Sequence, residues 1–231
     1  MKLALASLLA FAPAASSYDY NNIPYTMYEM KERLTLQPTN LNGSPVAMVS
    51  TTYADGSSAY GSGVFIAPNK LLTAAHVVSS DHNTPTKIYI SNGRLEELSI
   101  EDVDFFKDDY KEGDADDLAI ITTKENYSWL KMKQEPGSSE ISILGYPLIN
   151  GTPFASTASG SIVSSSNGLW HTTAYSSKGS SGAPLVDSYG DVVGLHVSTS
   201  ERADLFGNKK TFNESVQFSN DQMRWISRHI N

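Results

Sequence analysis

The sequence predicts an all-β protein, a barrel or sandwich of antiparallel strands with one C-terminal α-helix. Two observations carry this. Short runs rich in Val, Ile, Thr, Tyr and Phe recur between turn signals from Pro45 onward. Only the C-terminal segment places its apolar residues at helical spacing. With 231 residues, 40% of them hydrophobic and 18% charged, the chain can build a sizeable core.

The elements follow in order. "PVAMVSTTY", the turn "ADGSS" and "YGSGVFIA" form a hairpin signal, and the turn "PNK" leads into the apolar "LLTAAHVV". "TKIYIS", "LEELSIEDVDFF" and "DLAIITT" continue the pattern, and "LKMKQEPGSSE" reads as a linker with Pro136 and Gly137 inside it. "ISILGYP", "TASGSIVSSS", "LWHTTAY", "GAPLVDSYGDVVGLHVSTS" and "TFNESVQF" repeat the style without a sequence repeat. Ser219 and Gln222 then fit a capping box, and Met223, Ile226 and Ile230 share one helical face.

The start differs. "MKLALASLLAFAPAASS" has one lysine, a short apolar run and an A-x-A pattern at Ala12–Ala14, which reads as a signal peptide over residues 1–16. Export is therefore expected. Residues 17–44 form a polar lead with room for a short propeptide, and "YEMKERLTL" within it fits a helix or a strand equally. The net charge of -8 argues against nucleic acid or an acidic membrane surface as partner. With no cysteine, the chain has no disulfides, thiol nucleophile or thiolate metal site. Four N-x-S/T sequons, at Asn42, Asn126, Asn150 and Asn213, are about what chance supplies.

Five histidines are present. His82 sits in the polar "SSDHNTP" and His229 in the terminal helix, and both read as surface residues. His76 ends an apolar stretch, where an imidazole must find a partner. Asp117 stands directly before the apolar Leu118–Ile121, and an unpaired buried carboxylate there costs several kcal/mol. Asp114 and Asp116 are expected to face water. A histidine and an acid at two strand edges satisfy each other, which is the base-and-orienter arrangement of nucleophilic catalysis. In "KGSSGAP", Gly179 and Gly182 flank Ser180 and Ser181 and permit the tight turn that gathers backbone N–H groups around one point. Ala183 breaks a G-x-S-x-G pattern, and the order His, Asp, Ser also disfavours an α/β-hydrolase.

"TAAHVV", "DLAI", "GYP" and "GSSGAPLVDSYGDVVGLH", in this order from Pro45 on, resemble the chymotrypsin-like glutamyl endopeptidases, the group of the staphylococcal enzyme and the exfoliative toxins. The resemblance implies two antiparallel β-barrels, over residues 45–130 and 131–231, the second followed by the helix. It implies a secreted serine endopeptidase acting as a monomer on protein or peptide substrates, without metal or cofactor. Ser181 would be the nucleophile, with Ser180 where the family has Asn or Asp. His76 would be the base and Asp117 its orienter, with the N–H groups of Gly179 and Ser181 as oxyanion hole.

By the same resemblance Ser176 and His196 would bind the carboxylate of a P1 glutamate (or aspartate), and Val197, Ser198 and Thr199 would pair with the substrate backbone. The family often has glycines after that histidine, or a lysine three residues on, so a second positive charge is unassigned. The mature α-amino group, Lys178 and Arg202 are the candidates. Two rivals remain: the same protease with another P1 preference, and a toxin-like homologue that binds selectively and turns over little.

Overall fold

A computed structural model describes residues 37–79, 85–93, 95–98, 100–203 and 209–230. The expected signal segment, the lead up to residue 36 and His82 lie outside the described residues. In the first half, β2 (Val46–Tyr53), β3 (Ser58–Ala67), β4 (Lys70–Thr73), β5 (Pro85–Ser91), β6 (Leu95–Leu98), β7 (Val103–Phe105) and β8 (Ala119–Thr122) form one antiparallel sheet. Its order is β6-β5-β2-β3-β4-β8-β7. β6 and β7 lie at opposite edges, yet only a short link through the 3-10 turn Ile100–Asp102 joins them. Laid flat, the edges of such a sheet would be roughly 29 Å apart at about 4.8 Å per strand. The link from Leu98 to Val103 reaches at most about 18 Å. The sheet must curl, and it forms a half-barrel around Val49, Phe65, Leu71, Leu72, Ile88 and Ile120, all fully buried.

The second half closes completely. β9 (Glu140–Gly145), β12 (Ser156–Ser166), β13 (Leu169–Thr172), β14 (Pro184–Asp187), β15 (Val192–Ala203) and β16 (Lys209–Gln217) run in the order β9-β12-β13-β16-β15-β14 and return to β9. Closure works because β12 is long: Ser156–Ser161 pair with β9, and after a bulge past Ile162 the strand pairs with β13. β1 (Gln37–Pro38) adds to its outer edge, and β10 (Leu148–Ile149) with β11 (Thr152–Pro153) makes a separate small hairpin. The proposed linker is strapped to this barrel, where Val192 N–H donates to the Lys131 carbonyl and Lys133 N–H to the Val192 carbonyl.

Two elements depart from the strand pattern. The apolar "LLTAAHVV" does not continue as strand: β4 stops at Thr73, and α1 (Ala75–Val78) is a single helical turn. "LEELSIEDVDFF" is broken by the 3-10 turn into β6 and β7. At the C-terminus α2 (Asn220–Ile230) has the expected capping box, with Ser219 N–H donating to Gln222 Oε1 at 2.7 Å and Gln222 N–H to Ser219 Oγ at 3.3 Å. This helix reaches back to the first half. Ile226 is buried, Trp225 meets Phe106 edge-on, and Gln222 Nε2 donates to the Ala115 carbonyl at 2.6 Å. Ile230, expected on the packed face, is 40% exposed at the C-terminal end of the helix.

Candidate active site

The corner between β4 and α1 carries His76, and the loop before β8 carries Asp117. Asp117 is fully buried and accepts three N–H groups. They are His76 Nδ1 at 2.6 Å, the His76 backbone at 3.0 Å and the Gly113 backbone at 2.8 Å. Two peptide donors into one carboxyl leave it as acceptor for Nδ1–H, so the lone pair of the ring lies on Nε2. The turn from residue 106 to 117 is held from behind by α2, through Phe106 and the Ala115 carbonyl. Burial pulls the His76 pKa down, but the Asp117 hydrogen bond and charge, with a smaller contribution from Glu112, outweigh it. The net shift is upward.

The second barrel presents the glycine-flanked serines to this corner. Gly179 and Gly182 have φ of 89° and 81°, where a side chain is strained. A Cβ on Gly182 would stand 2.1 Å from the Ser62 carbonyl, so the backbones meet directly. Ser62 is the hinge of this contact. Its N–H donates to the Ser181 carbonyl at 2.7 Å, and its hydroxyl donates to the Gly179 carbonyl and accepts from Tyr146 N–H, both at 2.9 Å. A Cβ on neighbouring Gly61 would touch both Val77 and the Ser181 carbonyl, which brings the serine turn to the residue beside His76.

The turn also separates the two serines. Ser180 is buried and its hydroxyl accepts from Ser177 N–H at 3.2 Å, whereas Ser181 is half-buried. The Lys178 carbonyl accepts from Leu148 N–H at 2.6 Å. Carbonyl and N–H point opposite ways across a trans peptide, so this bond turns the Gly179 N–H to the other side. Neither the Gly179 nor the Ser181 N–H donates to any acceptor among the described residues. Two free donors two residues apart in one turn are an anion-binding arrangement.

Beside this turn runs β15. Gly182 N–H donates to the His196 carbonyl and His196 N–H to the Ala183 carbonyl, both at 2.8 Å. Past Leu195 no strand pairs with that side of β15 among the described residues, so Val197, Ser198 and Thr199 lie along an open edge. A bulge between His196 and Ser198 re-aims the side chains: His196 pairs with Ser215 and Thr199 with Asn213, all on the inner face, while Ser198 bonds Glu214 on the outer face at 2.8 Å. Val197 is buried and Thr199 exposed.

The inner face holds a polar seam. Asn213 bridges Ser176 and Thr199, with Thr199 Oγ1 at 3.0 Å and Ser176 Oγ in a shorter contact. Deeper in, His196 Nδ1, Ser215 Oγ and Thr172 Oγ1 are buried without a hydrogen-bond partner among the described residues. Each such atom costs about 1–3 kcal/mol, which marks this side of the barrel as built for something other than stability. Burial, then the charge of His76, pushes the His196 pKa down to about 4 against a weaker pull from Glu214, so its ring is neutral at pH 7. Lys178 is exposed and the Arg202 side chain lies outside the described residues. Among the described residues no cluster of His, Asp and Glu could hold a metal ion. A cavity of about 520 Å³ opens elsewhere, between β9, β12 and β14 near Thr39, Glu140 and Ser188, with none of these site residues in its wall.

Sequence reasoning missed Ser62, Asn213 and Gly113. Ser62 had a signal, since glycines on both sides within a strand mark a close backbone approach. Asn213 had only its inward alternation with Ser215. Its sequon is buried, with Asn213 8% exposed.

Half-barrel, closed barrel, terminal helix and a His–Asp pair against a glycine-flanked serine turn define a chymotrypsin-like protease fold. The family model of the trypsin-like peptidase domain matches residues 61–195, and the chain belongs to that family. It takes protein or peptide substrates as its class. No curated protein sequence matches the chain. Among solved structures it is similar to a Glu endopeptidase in complex with MPD, at 20% identity and TM-score 0.61 over 79% of this chain and 89% of that one. It is also similar to neuropsin, a serine protease of mouse brain, at 16% identity and TM-score 0.61 over 83% and 96% of the two chains. A scabies mite inactivated protease paralogue matches at 16% identity and TM-score 0.60 over 84% and 98%. At these identities the likeness shows the fold alone.

Proposed function

We propose that this chain is a secreted serine endopeptidase, with Ser181 as nucleophile, His76 as general base and Asp117 as the group that orients it. Ser181 Oγ bonds to the substrate carbonyl carbon while His76 Nε2 takes its proton. The oxyanion is received by the N–H groups of Gly179 and Ser181. His76 returns the proton to the leaving amine as the C–N bond breaks, and water repeats the sequence on the acyl-enzyme, releasing Ser181. Val197 to Thr199 pair with the substrate backbone as an added strand. All of these groups belong to the chain, which acts as a monomer, and residues 1–16 direct its export.

The observation that carries the reading is the 2.6 Å bond between His76 Nδ1 and the buried Asp117, beside a serine turn held against the same corner by Ser62. A fold shared with an inactivated paralogue does not establish turnover, so the residues must. The test is a mixed peptide library with wild type and Ser181→Ala, read by mass spectrometry. Cuts present only in wild type are expected; equal cutting by the variant would refute the assignment. The same measurement on the exported protein gives its first residue.

For specificity, the resemblance points to glutamate (or aspartate) at P1, bound by Ser176 and His196 on the polar inner face. A second reading, the same protease with another P1 residue, is favoured by the neutral His196 and by Asn213, which already receives the Ser176 and Thr199 hydroxyls.

A further inference from the structure

Asn213 settles what the pocket mouth can offer. It lies on β16 opposite Thr172 of β13 and Thr199 of β15, on the inner face. Its Nδ2 donates to the Ala174 carbonyl, and a carbonyl only accepts, so the amide orientation is fixed. Oδ1 therefore faces Ser176 and Thr199 and can only accept. Each hydroxyl has one hydrogen, and both are directed at Oδ1. Ser176 Oγ and Thr199 Oγ1 are themselves 3.4 Å apart. The result is a compact triangle of three oxygens with its hydrogens turned inward and its lone pairs outward.

A carboxylate brings acceptors only. To bind here it must draw the hydroxyls away from Asn213, leaving Oδ1 unpaired beside an anion. His196 offers no compensating charge at neutral pH. Glu214 adds negative potential, since its charge acts on the His196 ring. A carboxamide of the same length matches both ends of the seam. Its NH₂ donates to the oxygen triangle without disturbing it, and its oxygen accepts from the Ser215 hydroxyl, which is buried without a partner among the described residues.

We propose that this pocket takes glutamine at P1 in preference to glutamate, and that Asn213, by holding the Ser176 and Thr199 hydroxyls as donors to itself, sets that choice. The inference rests on reading the seam as the P1 pocket of a serine endopeptidase.

The test uses peptides that differ only in P1, Gln against Glu, with kcat/KM measured at pH 8 where the glutamate is fully ionised. Wild type is expected to favour Gln by at least tenfold. In Asn213→Ala the hydroxyls are free to donate to a carboxylate, so the Gln/Glu ratio should fall at least tenfold. Thr199→Ala, at an exposed position, covers the case where Asn213→Ala does not fold; its ratio should fall about threefold through loss of one acceptor. Wild type that cuts after Glu as well as or better than after Gln overturns the proposal. So does an unchanged ratio in a folded, active Asn213→Ala. Labelling of Ser181 by a fluorophosphonate on the same preparation separates the two levels. Labelled enzyme that ignores Gln refutes this inference alone, whereas no label and no cleavage refutes the endopeptidase reading beneath it.

Discussion

Ser62→Ala is the substitution that most directly tests how the two barrels are joined. The Ser62 hydroxyl is fully buried, donates to the Gly179 carbonyl and accepts from the Tyr146 N–H, each at 2.9 Å. Alanine removes both bonds and leaves two backbone groups without a partner in a space too small for the lost oxygen to be replaced. A buried hydrogen bond is worth about 1 kcal/mol net, and somewhat more when its partner is left unpaired. The loss should be about 2–4 kcal/mol. At roughly 2–4 °C per kcal/mol for a chain of this size, Tm should drop by about 4–16 °C. Because the Gly179 peptide loses its anchor, kcat should fall about 10–100-fold with little change in KM, a loss confined to the transition state. Urea unfolding and initial rates on one peptide check both. A variant within about 0.5 kcal/mol of wild type and equal in kcat would refute the hinge role, because solvent would then be satisfying groups the structure buries.

Further outcomes follow from the same geometry. Asp117→Asn should lower kcat by about 10⁴-fold, since the amide cannot hold Nδ1–H in place; a loss under tenfold in steady-state assays would contradict the orienting role. With its pKa raised, His76 favours the imidazolium, so activity should disappear as pH falls through a value above 6.5. In Asp117→Asn the residual activity should persist to lower pH, because burial is then the largest remaining effect. A limb that stays in place in the variant would show that Asp117 does not cause the shift. The raised pKa also adds stability that is fully present below 6.5 and lost as pH rises through the folded value. Gln222→Ala should cost about 1–2 kcal/mol in urea unfolding through the lost bond to the Ala115 carbonyl, and an unchanged midpoint would mean that α2 does not brace the Asp117 loop.

Much of this was legible in the sequence because it is local. Alternation gave the strands, Ser219 and Gln222 the cap of α2, and glycines the serine turn. His76 and Asp117 were readable from the cost of burying them without partners. What stayed hidden depends on distant backbone. Ser62 reaches Gly179 across 117 positions of sequence, and nothing local says which carbonyl it will meet. The orientation of Asn213 is set by the Ala174 carbonyl, 39 residues away. The one-turn α1 follows from the chain reversing after Thr73 to bring His76 over Asp117, an outcome of tertiary contact that apolar pattern alone does not encode. The first barrel's failure to close is likewise a property of its connections, since β6 and β7 are joined but unpaired.

The central claim is that Ser181, and not its neighbour Ser180, is an activated nucleophile. Incubation of the full chain with a fluorophosphonate, followed by peptide mapping, tests it most directly. The account predicts a single adduct on Ser181, lost in His76→Ala. An adduct on Ser180, or none on folded wild-type protein, would contradict it.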